Sequence, residues 1–301
     1  MTACRRRVLD TAGMRLRRTA GVIGPAAVVV IAVSPSSAAG ARPPVAEPAV
    51  HSVQATAARI RAYWTPERRA AAAAGQAGAL WTGGGAVART TGKVFFTIGG
   101  RDFLCSGSTV RSANRDVVVT AGHCVKDGKG AWADNWIFVP GYRDGDSPYG
   151  GYTARRMFTP DQWSEHADGD FDVAMVAVAQ ADGRHVVDVA GGQRLAFGGP
   201  REAHTHAFGY PASGRWNGKR LAYCDGTPAP DRHAGTTGRG LRCDLTTGSS
   251  GGPWLTGLDP ATGLGTVVSV NSFKYADDHA TMYGPHFGDA VRRAYDQAQN
   301  A

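Results

Sequence analysis

The sequence predicts an all-β fold, an antiparallel barrel or sandwich, single or doubled, running from Lys93 towards the C-terminus. Three observations predict it. Short β-type runs recur, "KVFFTI", "DVVVTA", "WIFVPG", "DVAMVAVA", "HVVDVA", "HTHAFGY" and "GTVVSVNSF", with Gly, Asp and Pro clusters between them. No long amphipathic helix separates them, which disfavours a parallel α/β sheet. The 301 residues include 41 glycines and few long charged or apolar runs, the composition of a loop-rich soluble chain. The last run, "GDAVRRAYDQAQ", predicts a short C-terminal helix with Asp289 as its N-cap.

The N-terminal part reads differently. Residues 1–41 place arginines before the apolar run "GVIGPAAVVVIAV", followed by the small residues "SPSSAAGA". That order is a secretory signal, with cleavage after Ala38 or Ala41, and the apolar run is short for a bilayer span. The pair Arg17-Arg18 only hints at twin-arginine export. Residues 42–89 begin Pro-rich, continue Ala- and Arg-rich, and end in "TGGGAVARTTG". They read as a pro-segment, with a helical arm packed on the domain as the alternative. Residues 90–301 form the main domain. Gly83-Gly84-Gly85 lacks the Lys and Ser/Thr of a phosphate loop.

The formal charge of +8 is local. Residues 1–41 carry six arginines against Asp10, and residues 42–89 add a further net +4, so residues 90–301 are close to neutral at about −1. The charge pattern therefore excludes a basic nucleic-acid surface on the domain. Export implies an oxidising compartment. Cys4 leaves with the signal, and Cys105, Cys124, Cys224 and Cys243 remain, with three pairings open. No close C-x-x-C pair exists, so metal ligation by these cysteines is disfavoured; no metal site and no cofactor is expected.

Chemistry concentrates in three stretches. "GSSGGP" places Ser250 among Gly248, Gly251, Gly252 and Pro253. A serine hydroxyl needs a base to become a nucleophile, and the oxyanion it creates needs backbone N–H donors that glycines leave accessible. "DVVVTAGHCV" supplies a base in His123, at the end of a β-run and beside a cysteine. "DGDFDVAMVAV" offers Asp168, Asp170 and Asp172, and Asp172 directly precedes the apolar run. A carboxylate buried there can accept the histidine N–H, fix its tautomer and stabilise the imidazolium.

"TAGHC", "DVAM" and "GSSGGP", in the order His, Asp, Ser, resemble the chymotrypsin/trypsin-like serine peptidases, especially secreted bacterial members, over about residues 91–290. The resemblance implies two antiparallel six-stranded β-barrels with the active site between them. It implies Ser250 as nucleophile, His123 as general base and acid, Asp172 as its partner, and the N–H groups of Gly248 and Ser250 as oxyanion hole. It implies the Cys105–Cys124 disulfide, and with it Cys224–Cys243. "VVSVNSF" resembles the segment that pairs with substrate backbone, with Ser269 near the buried aspartate and Val270 and Asn271 lining the cleft. The partners implied are polypeptide substrates, cleaved by a secreted monomer with no membrane anchor after signal removal.

Two positions depart from the animal enzymes. Ser249 stands where trypsin-like zymogens carry an aspartate that pairs with a newly cut N-terminal amine, so that amine is not expected to be the switch. Asp244 sits six residues before Ser250, where trypsin carries its specificity carboxylate, but the adjacent Cys243 shows a different loop register. Specificity for Arg/Lys, for Glu and for apolar residues all stay open. Two rival functions are an α/β-hydrolase esterase, because "GSSGG" fits a nucleophile elbow, and a catalytically silent binding protein on the same fold.

Overall fold

A computed structural model describes residues 48–66, 68–69, 80–214 and 216–301, all within one compact unit spanning residues 45–301. The expected signal at 1–41 lies outside the described residues. The first sheet contains β1 (Ala49–Ser52), β2 (Thr91–Ile98), β3 (Arg101–Val110), β4 (Val117–Thr120), β5 (Asp134–Pro140), β6 (Tyr152–Thr159) and β7 (Ala174–Val178). Strands β2 and β3 are joined by Gly99 and Gly100, with φ of +57° and +75°, the left-handed pair that a two-residue hairpin turn requires.

The sheet runs β1-β6-β5-β2-β3-β4-β7, and β7 pairs back onto β6. Six strands, β2 to β7, thereby close into an antiparallel barrel, which removes their free edges. The barrel is filled by Val94, Val118, Phe138, Met157 and Val176, all fully buried. The C-terminal helix Asp289–Gln299 lies against β6 and β7 through Ala290, Val291, Ala294 and Ala298, one face of a 3.6-residue period. Its N-cap is Gly288, not Asp289; Asp289 is the first helical residue, where its charge still favours the positive helix start.

The second half forms two further antiparallel groups. A five-stranded sheet orders β10 (Ala222–Gly226), β9 (Thr205–Gly209), β13 (Pro253–Asp259), β14 (Leu264–Val270) and the short parallel β8 (Arg194–Leu195). A four-stranded sheet orders β11 (Ala229–Pro230), β12 (Arg239–Arg242), β16 (Asp278–Gly284) and β15 (Phe273–Tyr275). A second apolar cluster joins them, including Trp216, Leu241, Leu245, Trp254 and Met282.

One sequence expectation fails. "HVVDVA" reads as a strand, yet Val186–Ala190 is a short helix. Val186 and Ala190, four residues apart, both point into the interior. The buried Asp116 carboxylate accepts the Val186 N–H at 3.2 Å and bonds His185 at 2.6 Å. These tertiary contacts outweigh the β preference of valine.

Residues 42–89 are built into the barrel where they are described. β1 pairs with the second half of β6. Ile60 and Trp64 are buried, and Trp64 donates its indole N–H to Asn135 O at 2.6 Å. Helix Gly85–Thr90 runs straight into β2, with Val87 and Thr90 fully buried.

Candidate active site

Pairing between β4 and β7 sets the first half of the site. Thr120 faces Ala174 in the antiparallel register. Three residues past Thr120 is His123, and two residues before Ala174 is Asp172, so both leave the barrel at the same end. His123 sits in the 3-10 turn Gly122–Cys124, pinned by the Cys105–Cys124 disulfide to β3. Asp172 accepts the His123 backbone N–H on Oδ1 at 2.8 Å and holds ring Nδ1 on Oδ2 at 2.8 Å. Ser272 donates its hydroxyl to the same Oδ2.

These contacts set the electrostatics. Burial acts to lower the His123 pKa, but the charge and hydrogen bond of Asp172 overrule it and the value ends above the ordinary 6.5. Burial acts to raise Asp172, and His123 together with the hydroxyl of Ser272 brings it below the ordinary 3.8. Asp172 is 3% exposed, whereas the His123 side chain keeps 32% of its surface. With Nδ1–H committed to the carboxylate, Nε2 carries the free lone pair.

The Ser250 loop is fastened to both halves of the protein. Ser106 of β3 donates its N–H to Ser250 O at 2.7 Å and its hydroxyl to Gly248 O at 2.8 Å. Asn271 donates its side-chain amide to Ser249 O at 2.9 Å and to Phe208 O at 2.7 Å, and receives the Trp254 indole N–H at 2.8 Å. Ser249 is fully buried, and its hydroxyl donates to Thr246 O at 2.7 Å. Gly248 and Gly251 have φ of +97° and +77°. A Cβ on Gly251 would overlap Thr120 Oγ1 and the Ala121 nitrogen, so this turn lies directly against the chain leading to His123.

Donor accounting distinguishes two amides. Ser249 N–H goes to Thr246 O, Gly251 N–H to Asn271 O and Gly252 N–H to Ser249 O. Among the described residues, the N–H groups of Gly248 and Ser250 donate to no protein acceptor.

A pocket of about 420 Å³ opens beside Ser250, walled by Leu245, Thr246, Ser272, Phe273, Lys274 and His279 among others. Lys274 donates its ammonium to the carbonyls of Cys243 and His279. Burial lowers its pKa, and the nearby charges of Asp244 and Asp278 oppose that shift. Asp244 is exposed and is not among the lining residues; its backbone carbonyl accepts from Trp216.

Of the two serines in "VVSVNSF", Ser272 and not Ser269 bonds the buried aspartate. Ser269 lies away from Asp172 and donates to Pro285 O at 2.7 Å. Val270 is buried opposite Pro253, and Asn271 is the fully buried brace just described. Ser272, Phe273 and Lys274 line the pocket beside Ser250, where β14 ends at Val270 and β15 begins at Phe273. The second serine of "SVNSF" was the available signal. Cys224 pairs with Cys243, tying β10 to the loop before Ser250.

Ser250 leads into strand β13, not into a helix, so the turn is not a nucleophile elbow. A histidine seated on a buried carboxylate, with a serine on a glycine turn packed against the chain leading to it, at an all-β barrel, fits the class of serine-peptidase folds. Residues 105–260, just over half of the sequence, match the family described as trypsin-like peptidase domain. The protease Anisep from Arthrobacter nicotinovorans is 39% identical, with a TM-score of 0.68 over 71% of this chain and 96% of that one. The thermostable serine protease AL20 from an extremophilic microorganism is 36% identical, with a TM-score of 0.68 over 72% and 99%. An extracellular metalloprotease of Bacillus subtilis (strain 168) is 32% identical over 82 residues, 27% of this chain. The chain spans about a quarter of that protein's length, 25%. The chain belongs to the trypsin-like serine peptidase family.

Proposed function

We propose that this protein is a secreted serine endopeptidase acting through Ser250, His123 and Asp172. The observation that carries the reading is the double grip of Asp172 on the backbone and ring of His123, which leaves Nε2 as a base. Ser250 Oγ attacks the scissile carbonyl as its proton passes to Nε2, giving a tetrahedral oxyanion received by the N–H groups of Gly248 and Ser250. Collapse breaks the C–N bond, Nε2 returns its proton to the leaving amine, and an acyl-enzyme on Ser250 remains. Water, deprotonated by the same Nε2, then releases the acid. The five- and four-stranded sheets serve as the second barrel, with the site between it and the first; the Ser106 bonds to the Ser250 loop support that junction.

Lys274 puts an ammonium on the wall of the pocket beside Ser250. We read it as taking acidic or neutral side chains in preference to Arg or Lys, which would meet like charge. Two disulfides fit an oxidising, extracellular destination. The segment 42–89 is read as a pro-segment whose cut lies before Gly85, because Val87 and Thr90 belong to the buried interior.

The test is a casein and peptide-library digest with the native protein and Ser250→Ala, each also exposed to a fluorophosphonate. Cleavage and labelling lost together in the variant support the reading. Cleavage that persists in Ser250→Ala overturns it, and labelling without any proteolysis points to another acyl transfer.

A further inference from the structure

Away from the catalytic loops, β9 and β10 gather metal-binding side chains on one face. His206 stands opposite Asp225 in their antiparallel ladder, and Phe208 opposite Tyr223. His204 lies two residues before His206 and so projects to the same side. Trp81 closes one end of this face, with ring centroids 5.2 Å from Phe208 and 5.0 Å from Tyr223. At the other end, His204 Nε2 lies 3.3 Å from Asp225 Oδ2, and the His204 and His206 rings are 5.1 Å apart. One donor atom from each of the three residues lies within 4.8 Å of the other two.

Within this set His204 and Asp225 meet each other, while His206 keeps an unpartnered nitrogen. His206 Nδ1 is enclosed by protein and has no hydrogen-bond partner, which costs free energy unless something occupies it. The side chains of His204 and Asp225 are 56% and 46% exposed, so water can fill the remaining coordination positions.

We propose that His204, His206 and Asp225 form a Zn2+ site. Two imidazoles and one carboxylate are the donor set of a borderline cation, whereas Ca2+ and Mg2+ prefer oxygen ligands throughout. Zinc bonds of about 2.0–2.2 Å place tetrahedral donors about 3.3–3.6 Å apart. The His204–Asp225 separation of 3.3 Å already has this value. β10 is the edge strand of the five-stranded sheet, and Cys224 ties it to Cys243. The ion clips β10 to β9 next to that disulfide. The inference stands apart from the proposed proteolysis.

The test is calorimetric titration of Zn2+ into the metal-stripped full protein, with thermal unfolding followed with and without the ion. Expected is one ion per chain, a raised Tm, and affinity reduced at least ~10-fold in His204→Ala and in Asp225→Asn. Both altered side chains are largely exposed, so these variants should fold; His206→Ala serves as a third. Co2+ in place of Zn2+ should give visible absorption bands that His204→Ala abolishes. Equal affinity in the native protein and His204→Ala, Zn2+ lost only in His123→Ala, or Ca2+ competing on equal terms would each overturn the proposal.

Discussion

Asn271 donates its side-chain amide to the Ser249 carbonyl at 2.9 Å, on the peptide that joins Ser249 to Ser250. It does so from a fully buried position, while also holding Phe208 O and the Trp254 indole. Animal zymogens reach the same loop with an ion pair made after cleavage; here the brace is neutral and present in the uncut chain. Asn271→Ala should leave the Trp254 indole N–H without its partner, at about 1–3 kcal/mol if it stays dry, and take one donor each from Phe208 O and Ser249 O, the latter keeping only the Gly252 N–H. Loss of the loop geometry should lower kcat by roughly 10^2-fold, the scale of a lost oxyanion donor, with a smaller change in KM. Extending the N-terminus by a few residues should leave kcat unchanged. If the extended protein folds and is inactive, the brace is not what assembles the loop.

The rate should depend on pH through His123. Its pKa lies above 6.5 in the folded protein, because Asp172 outweighs burial. The imidazolium–carboxylate pair therefore stabilises the fold fully below about pH 6.5 and loses that contribution as pH rises through the raised value. Catalysis needs the neutral ring and gains where this stabilisation fades. The kcat/KM profile should show a midpoint above ~6.5. Asp172→Asn removes the raising charge while burial remains, so the midpoint should move down, with kcat lower by about 10^4-fold because the amide favours the wrong imidazole tautomer. A profile flat through this range would exclude His123 as base.

Lys274 should govern the residue accepted before the cut. Its ammonium stands on the wall of the pocket beside Ser250, and Asp244 stands off it. On a peptide library the native protein should prefer acidic or neutral side chains to Arg and Lys. Lys274→Gln should raise relative kcat/KM for basic residues and lower it for acidic ones, by about 10-fold or more for a partly desolvated charge. Asp244→Asn should leave the order unchanged. A native preference for Arg, abolished by Asp244→Asn, would return Asp244 to the pocket.

The triad candidates were legible because each carries a local signature. His123 follows an apolar β-run, Asp172 precedes one, and Ser250 sits among glycines whose positive φ the structure uses. "VVSVNSF" holds two serines, and only the end of β14 decides which of them reaches Asp172. The switch from Ser269 to Ser272 depends on a hydrogen bond to a residue 100 positions away. "HVVDVA" misled for a similar reason: Asp116, far upstream, caps a helix that local propensity opposes. The pocket wall was invisible because Lys274 and His279 meet only through pairing of β15 with β16.

The same distinction between local pattern and tertiary packing bears on processing. Composition alone marks residues 42–89 as one segment, but the fold divides it. β1 pairs with β6, and Ile60 and Trp64 join the apolar core, Trp64 against Phe95 at 5.1 Å between ring centroids. Helix Gly85–Thr90 is instead continuous with β2, and Gln193 bonds Thr90 Oγ1 at 3.0 Å in the interior. A cut at residue 90 would remove Val87 and Thr90 from the core, whereas a cut before Gly85 spares them. Mass spectrometry of the secreted product should therefore find an N-terminus upstream of Gly85. Trp64→Ala should destabilise the uncut precursor by about 3–5 kcal/mol, the cost of emptying a buried tryptophan site. A product cut between Trp64 and Gly85 should unfold at the same denaturant concentration whether it was made from native or Trp64→Ala precursor. A mature chain starting at residue 90 or later, yet fully stable, would show that the Gly85–Thr90 helix is dispensable to the barrel.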